Sequence, residues 1–210
     1  MGVRRASNRQ RLYSLNKLGK SAATAPGAGI SSAVVASTVV RSGHEVVTEI
    51  AIDLASSQGA LTAVATDGDV IAVSASSGTH SPGYLAKLDF TENGHIIAVD
   101  MTCPELPAGA STDIILVSSG SATAVYDNSV TTTGTPITLI DNGGAWSLGK
   151  FVSWSSGSAL TAGSLALSGN VAGDDSQYLY LANGAGAGAG TYTAGKYVIR
   201  LYGIAVPDDK

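Results

Sequence analysis

The stretch EVVTEIAIDL, residues 45–54, decides how the chain folds. Val46, Thr48, Ile50, Ile52 and Leu54 occupy every second position, while Glu45, Glu49 and Asp53 fall between them. Side chains alternate across a strand, so this period of two describes a β-strand with one apolar face and one wet face. A helix of 3.6 residues per turn would scatter both sets around its circumference. Working outward, near-alternating segments recur at 61–66, 69–75, 84–90, 95–101, 112–117, 122–126, 136–140, 146–154, 163–168, 177–182 and 196–203. Turn-forming clusters separate them: Asp67-Gly68, Glu92-Asn93-Gly94, Pro107-Ala108-Gly109, Asp141-Asn142-Gly143-Gly144 and Gly173-Asp174-Asp175. Segments 84–90 and 95–101, joined by Thr91-Glu92-Asn93-Gly94, read as a hairpin. In the last segment Tyr197, Ile199 and Leu201 alternate with Lys196 and Arg200, so it closes the core. The pattern predicts an all-β fold, an antiparallel β-sandwich of jelly-roll type.

Composition supports that class. Of 210 residues 26 are glycine, while only 13% are charged and 6% aromatic, which suits short strands and tight turns better than surface helices. No apolar run approaches the ~20 residues that span a bilayer, so no membrane association is expected. Cys103, the single cysteine, has no partner for an internal disulfide and no zinc-ligand spacing; Pro104 follows it, and a small buried residue is expected there. The basic start is not followed by an apolar h-region, so a secretory signal is not expected. Met1-Gly2 invites myristoylation, but Ala6 stands where the motif requires Ser or Thr.

Charge divides the chain in two. Residues 1–41 carry Arg4, Arg5, Arg9, Arg11, Lys17, Lys20 and Arg41, a charge of +7 with no acid. Residues 42–210 hold the other five basic residues and all sixteen acidic ones, a charge of −11. We read 1–41 as an anchoring arm and connector, and 42–210 as the β body. An uneven split assigns the short segment to an anionic partner: nucleic acid, a neighbouring protein, or the acidic body of another copy. Within the arm, Ser7 and Gln10 fit a capping box, Leu12, Leu15 and Leu18 form a stripe, and Gly19 fits a C-terminal cap. A short helix over 8–18 is predicted, stable only when its leucines are covered. Residues 20–43 read as a connector ending in a strand, AVVASTVV.

The search for reaction chemistry returns little. His44, His80 and His95 have no metal-binding spacing, and Asp67-Gly68-Asp69 lacks the rest of a calcium loop, so no metal and no cofactor are expected. No GxSxG occurs, and the four glutamates Glu45, Glu49, Glu92 and Glu105 offer no evident acid–base pair. The glycine–alanine loop of ANGAGAGAGTYT (182–193) lies between strands, without the Lys and helix of a phosphate-binding loop; it reads as a rim or an intersubunit contact. No enzyme is predicted. Trp146 and Trp154, eight apart, would share one strand face. That suits core packing or, alternatively, a sugar-stacking platform.

The stretches GVRRASNRQRLYSLNKLGK (2–20), HEVVTEIAIDL (44–54) and TYTAGKYVIRLYG (191–203) resemble virion structural proteins of tailed bacteriophages, of the marine and cyanobacterial type. The resemblance implies a capsid cement or decoration protein, assembled in the host cytoplasm and located on the capsid surface. It also implies a homotrimer whose partner is the major capsid protein. No active-site residues come with it. In these terms Arg4, Arg5, Arg9, Arg11, Leu12, Leu15, Lys17, Leu18 and Lys20 are the partner-binding residues, since Arg bonds carboxylates as well as phosphates. The alternative is a host-receptor or glycan-binding fibre or head-spike protein, with Trp146, Trp154, Tyr178 and Tyr180 exposed along a groove. Nucleic acid is disfavoured as partner, because Tyr13 is the arm's sole aromatic for base stacking.

Overall fold

A computed structural model describes residues 25–30, 34–57, 59–75, 78–131, 136–155, 177–186 and 188–204. Among the described residues eleven strands and one helical turn follow in chain order. They are β1 (Val35–Ser42), β2 (Glu45–Asp53), β3 (Thr62–Ala63), β4 (Ala86–Leu88), α1 (Phe90–Asn93) and β5 (His95–Ala108). Then come β6 (Ile114–Ser119), β7 (Ile137–Ile140), β8 (Phe151–Ser155), β9 (Gln177–Asn183), β10 (Gly190–Thr191) and β11 (Ala194–Ile204).

All ladders are antiparallel. One sheet has the order β1-β2-β11-β5-β8, a second β4-β9-β6-β7, and β10 pairs with β3 alone. One hydrophobic core draws on both larger sheets. Ile50, Ile52, Val99, Met101, Tyr197, Ile199 and Leu201 enter it from the first; Leu116, Leu179 and Leu181 enter from the second. The result is a sandwich-like all-β body. Trp146 ties the layers together: its indole Nε1 donates to the Ile114 carbonyl at 2.7 Å, and its ring meets Tyr197 edge-on, with centroids 5.2 Å apart.

β2 behaves as its period requires. Val46, Thr48, Ile50 and Ile52 are buried, and the residues between them are more accessible. β11 repeats the pattern with Tyr197, Ile199 and Leu201 fully buried. The connector's strand exists as β1, pairing with β2 across Gly43 and His44. Gly43 has φ +65°, the sign that a two-residue hairpin turn requires at its first central position.

Three sequence expectations fail. Segments 84–90 and 95–101 do not form a hairpin: β4 pairs with β9 in the second sheet, and β5 pairs with β11 and β8 in the first. The connection winds α1 instead. Asn93 N donates to the Asp89 carbonyl at 2.7 Å, its side-chain oxygen accepts from Asp89 N at 2.8 Å, and its amide reaches Thr48 Oγ1 at 2.8 Å. These bonds close one helical turn, and the chain crosses between layers.

Segments 69–75 and 122–126 are not continuous strands; they make isolated bridges, Val70 to Tyr126 and Ala182, and Pro82 to Val125. Trp146 and Trp154 do not share a strand, because β8 begins only at Phe151. Part of the glycine–alanine loop is ordered into β10 against β3. The expected strand at 163–168 and the turn at Asp174-Asp175 lie outside the described residues.

Candidate functional site

Every partner-binding residue assigned from sequence (Arg4, Arg5, Arg9, Arg11, Leu12, Leu15, Lys17, Leu18 and Lys20) lies outside the described residues, as does the helix predicted over 8–18. The described body offers one surface with organised charge. It is the outer face of the five-stranded sheet, opposite the core.

Register fixes which residues share that face. Thr38, Glu49, Arg200, Asp100 and Ser153 are successive cross-strand partners and form one row from β1 to β8. On one side of it lies the row Val40, Val47, Tyr202 and Ala98; on the other lies Ala36, Ala51, Val198, Thr102 and Phe151. Beyond the latter come Asp53, Lys196 and Glu105. Rows are two residues apart along each strand, so apolar and charged bands alternate about every 7 Å. Val40, Phe151 and Ile204 are among the exposed large hydrophobic residues of the body.

The charged bands share one arrangement: a cation from β11 stands between a carboxylate of β2 and one of β5. Arg200 Nε bonds Glu49 at 2.9 Å, and its Nη1 lies 3.9 Å from Asp100. Asp100 is nearly buried and also accepts from the Tyr202 hydroxyl at 2.5 Å. Lys196 bonds Glu105 and lies 4.0 Å from Asp53. Hydrogen bonding accounts for the direction of each shift. The bond to Glu49 raises the pKa of Arg200, and the bond to Asp100 raises that of Tyr202. The Lys196–Glu105 bond holds the glutamate low and the lysine high. Glu45, exposed at the start of β2, adds a further carboxylate. The face thus carries two cations and five carboxylates, four of which those cations pair, and keeps a net charge of −3. It can hold a cationic, partly apolar ligand.

Among the described residues no histidine or cysteine builds a second site. The histidines stay apart: His44 in the β1–β2 turn, His95 at the start of β5, and His80 accepting from Ala75 N at 3.3 Å beside the Tyr126 ring. Among the described residues no three His, Cys, Asp or Glu side chains come together to hold a metal. Cys103 is fully buried, its thiol donating to the Glu105 carbonyl at 3.3 Å, and burial raises its pKa. The four aromatics required by the glycan reading do not line an open groove. Trp146 and Tyr180 are buried in the core, and Trp154 and Tyr178 pack against it half-buried.

Asp113, just before β6, is buried and its Oδ1 has no hydrogen-bond partner; burial, then the Asp141 and Asp67 charges, raise its pKa. A carboxyl whose folded pKa exceeds its unfolded value stabilises the fold below the unfolded pKa, and loses that contribution as pH rises through the folded one. Asp113→Asn should therefore raise Tm at pH 7 by roughly 2–4 °C, the shift that ~1 kcal/mol produces in a chain of this size. The gain should shrink towards zero near pH 3. Thermal melts at both pH values check this, and an equal gain at both would mean that charge burial is not its source.

Comparison of the chain with protein-family models, with curated proteins and with solved structures found no match.

Proposed function

We propose that this chain is a non-enzymatic virion protein of the capsid cement or decoration class. It binds the outer surface of a phage shell, clamps neighbouring copies of the major capsid protein, and is anchored through its basic leader. The observation that carries the reading is the sheet connectivity. With β1, β3 and β10 set aside, eight strands remain. In chain order they fall into one sheet ordered first, eighth, third, sixth and another ordered second, seventh, fourth, fifth. That order is what results when a ribbon of four antiparallel strand pairs (β2 with β11, β4 with β9, β5 with β8, β6 with β7) wraps into a barrel. We accordingly assign the body to the jelly rolls, an architecture used by viral capsid and lectin domains.

Fold alone does not name a function. The resemblance at 2–20, 44–54 and 191–203 and the split between a +7 leader and a −11 body choose the capsid role over the lectin role. The alternative, a glycan-binding fibre or head spike, loses support from the burial of Trp146 and Tyr180. Trimeric assembly belongs to the proposal as well, because symmetric copies turn a modest contact into a strong clamp through avidity.

The test is to prepare particles with and without this protein. Particles carrying it should show its density on the outer shell and should release their DNA at a higher temperature than particles lacking it. Density confined to tail or fibres, with no change in shell stability, would end the cement reading.

A further inference from the structure

We propose that the banded outer face of the five-stranded sheet is the receptor for the basic leader, residues 1–20, of a second copy of this chain. Two features of the face select the occupant. It carries three more carboxylates than cations, and residues 1–20 carry six cations with no acid. It alternates charged rows with apolar ones that include the exposed Val40 and Phe151. The leader likewise mixes its cations with Leu12, Leu15 and Leu18. A second copy of the same face is a poor occupant, because net negative charge would meet net negative charge.

The size of the face is adequate. Five strands ~4.8 Å apart and nine residues of β2 at ~3.3 Å each give a patch of roughly 20 by 30 Å. That approaches the ~800 Å² per partner of an ordinary specific interface.

The chain's own route favours a neighbour over its own face. The described chain ahead of β1 lies on the side of the four-stranded sheet, where Gly27 N donates to the Tyr84 carbonyl at 2.8 Å. Tyr84 in turn packs on Tyr178 and Tyr180 of β9, with ring centroids 4.9 and 6.3 Å away. The receptor face looks the other way. Docking of the leader on the opposite face of another copy makes a head-to-tail contact, which gives a closed ring or an open chain of copies according to the rotation between them. The inference deepens the anchoring reading and rests on it: the leader's grip on a sister subunit links the copies, and linked copies hold the shell by avidity.

Sedimentation of the purified full-length chain at low and high salt tests it. Self-association should weaken at least tenfold as salt rises from about 50 to 500 mM, because exposed charge pairs are screened. Two full-length variants should each lose it: Arg9→Glu with Arg11→Glu, and Glu45→Lys with Glu105→Lys. Mixing these two should restore hetero-complexes, since each supplies the intact half that the other lacks. A wild-type chain that stays monomeric at low salt would overturn the inference, whether its leader folds back on its own face or binds only the shell. So would self-association that neither variant weakens, or a mixture that forms no hetero-complex. A monomeric chain that still decorates particles through its leader would remove this inference and leave the cement reading intact.

Discussion

A chain lacking residues 1–20 should fold normally and lose binding to capsid particles by at least a hundredfold. The described core contains no residue before Ile30, so the deletion removes none of it. What the deletion removes is six cations and the stripe Leu12, Leu15 and Leu18. Covering each leucine contributes on the order of 1.5–3 kcal/mol before the cost of ordering the segment. A hundredfold change is about 2.7 kcal/mol, well within that sum. Co-sedimentation of the truncated chain with particles, beside a melt to confirm the fold, measures both halves of the expectation. Charge reversal localises the contact: Arg9→Glu with Arg11→Glu should weaken binding far more than Lys87→Glu, which alters β4 of the four-stranded sheet. Equal losses would mean diffuse attraction and no defined footprint. Undiminished decoration by the truncated chain would refute the anchoring role.

The second large effect is expected inside the body. Gly203→Ala should destabilise the fold by about 3 kcal/mol, near the upper end of what over-packing usually costs. A Cβ at 203 would stand 2.0 Å from the Asn93 carbonyl oxygen, which belongs to backbone and cannot swing aside as a side chain would. Gly203 pairs with Val46 on one side and Ile96 on the other, so β11 cannot retreat without dragging both neighbours. α1 cannot retreat easily either, because Asn93 is bonded to Asp89 and to Thr48. Urea unfolding of the variant measures the loss. A change below ~0.5 kcal/mol would show that α1 does not sit on β11 as described. Gly188→Ala, where an added Cβ meets nothing within 4 Å and the backbone is not left-handed, is the matched substitution of an exposed glycine.

Much of the body was legible along the chain. The alternation in 45–54 and 196–203 appears unchanged as the burial of β2 and β11, and the isolated Cys103 is buried as read. The failures share a cause. Sequence proximity suggests that 84–90 pairs with 95–101, yet two local bonds between Asn93 and Asp89, and a long-range one from Asn93 to Thr48, turn the chain into the other layer. Trp146 and Trp154 were placed on one face by counting, but the strand that would carry both starts at Phe151.

The candidate site was half visible. Glu45, Glu49 and Asp53 already stood on the wet face of β2, and Lys196 and Arg200 on that of β11. Nothing in the order of residues says that these strands are neighbours, or that Asp100 of β5 completes the row. Alternation is a local property of the backbone, so the sequence by itself determined the strand-rich class, the inner faces of β2 and β11, and the opposition of a cationic leader to an acidic body. Pairing depends on contacts between residues far apart along the chain, such as Arg200 with Glu49, 151 positions away. The tertiary structure alone decided which charges meet, because closing such loops is rewarded only when the whole core forms around them.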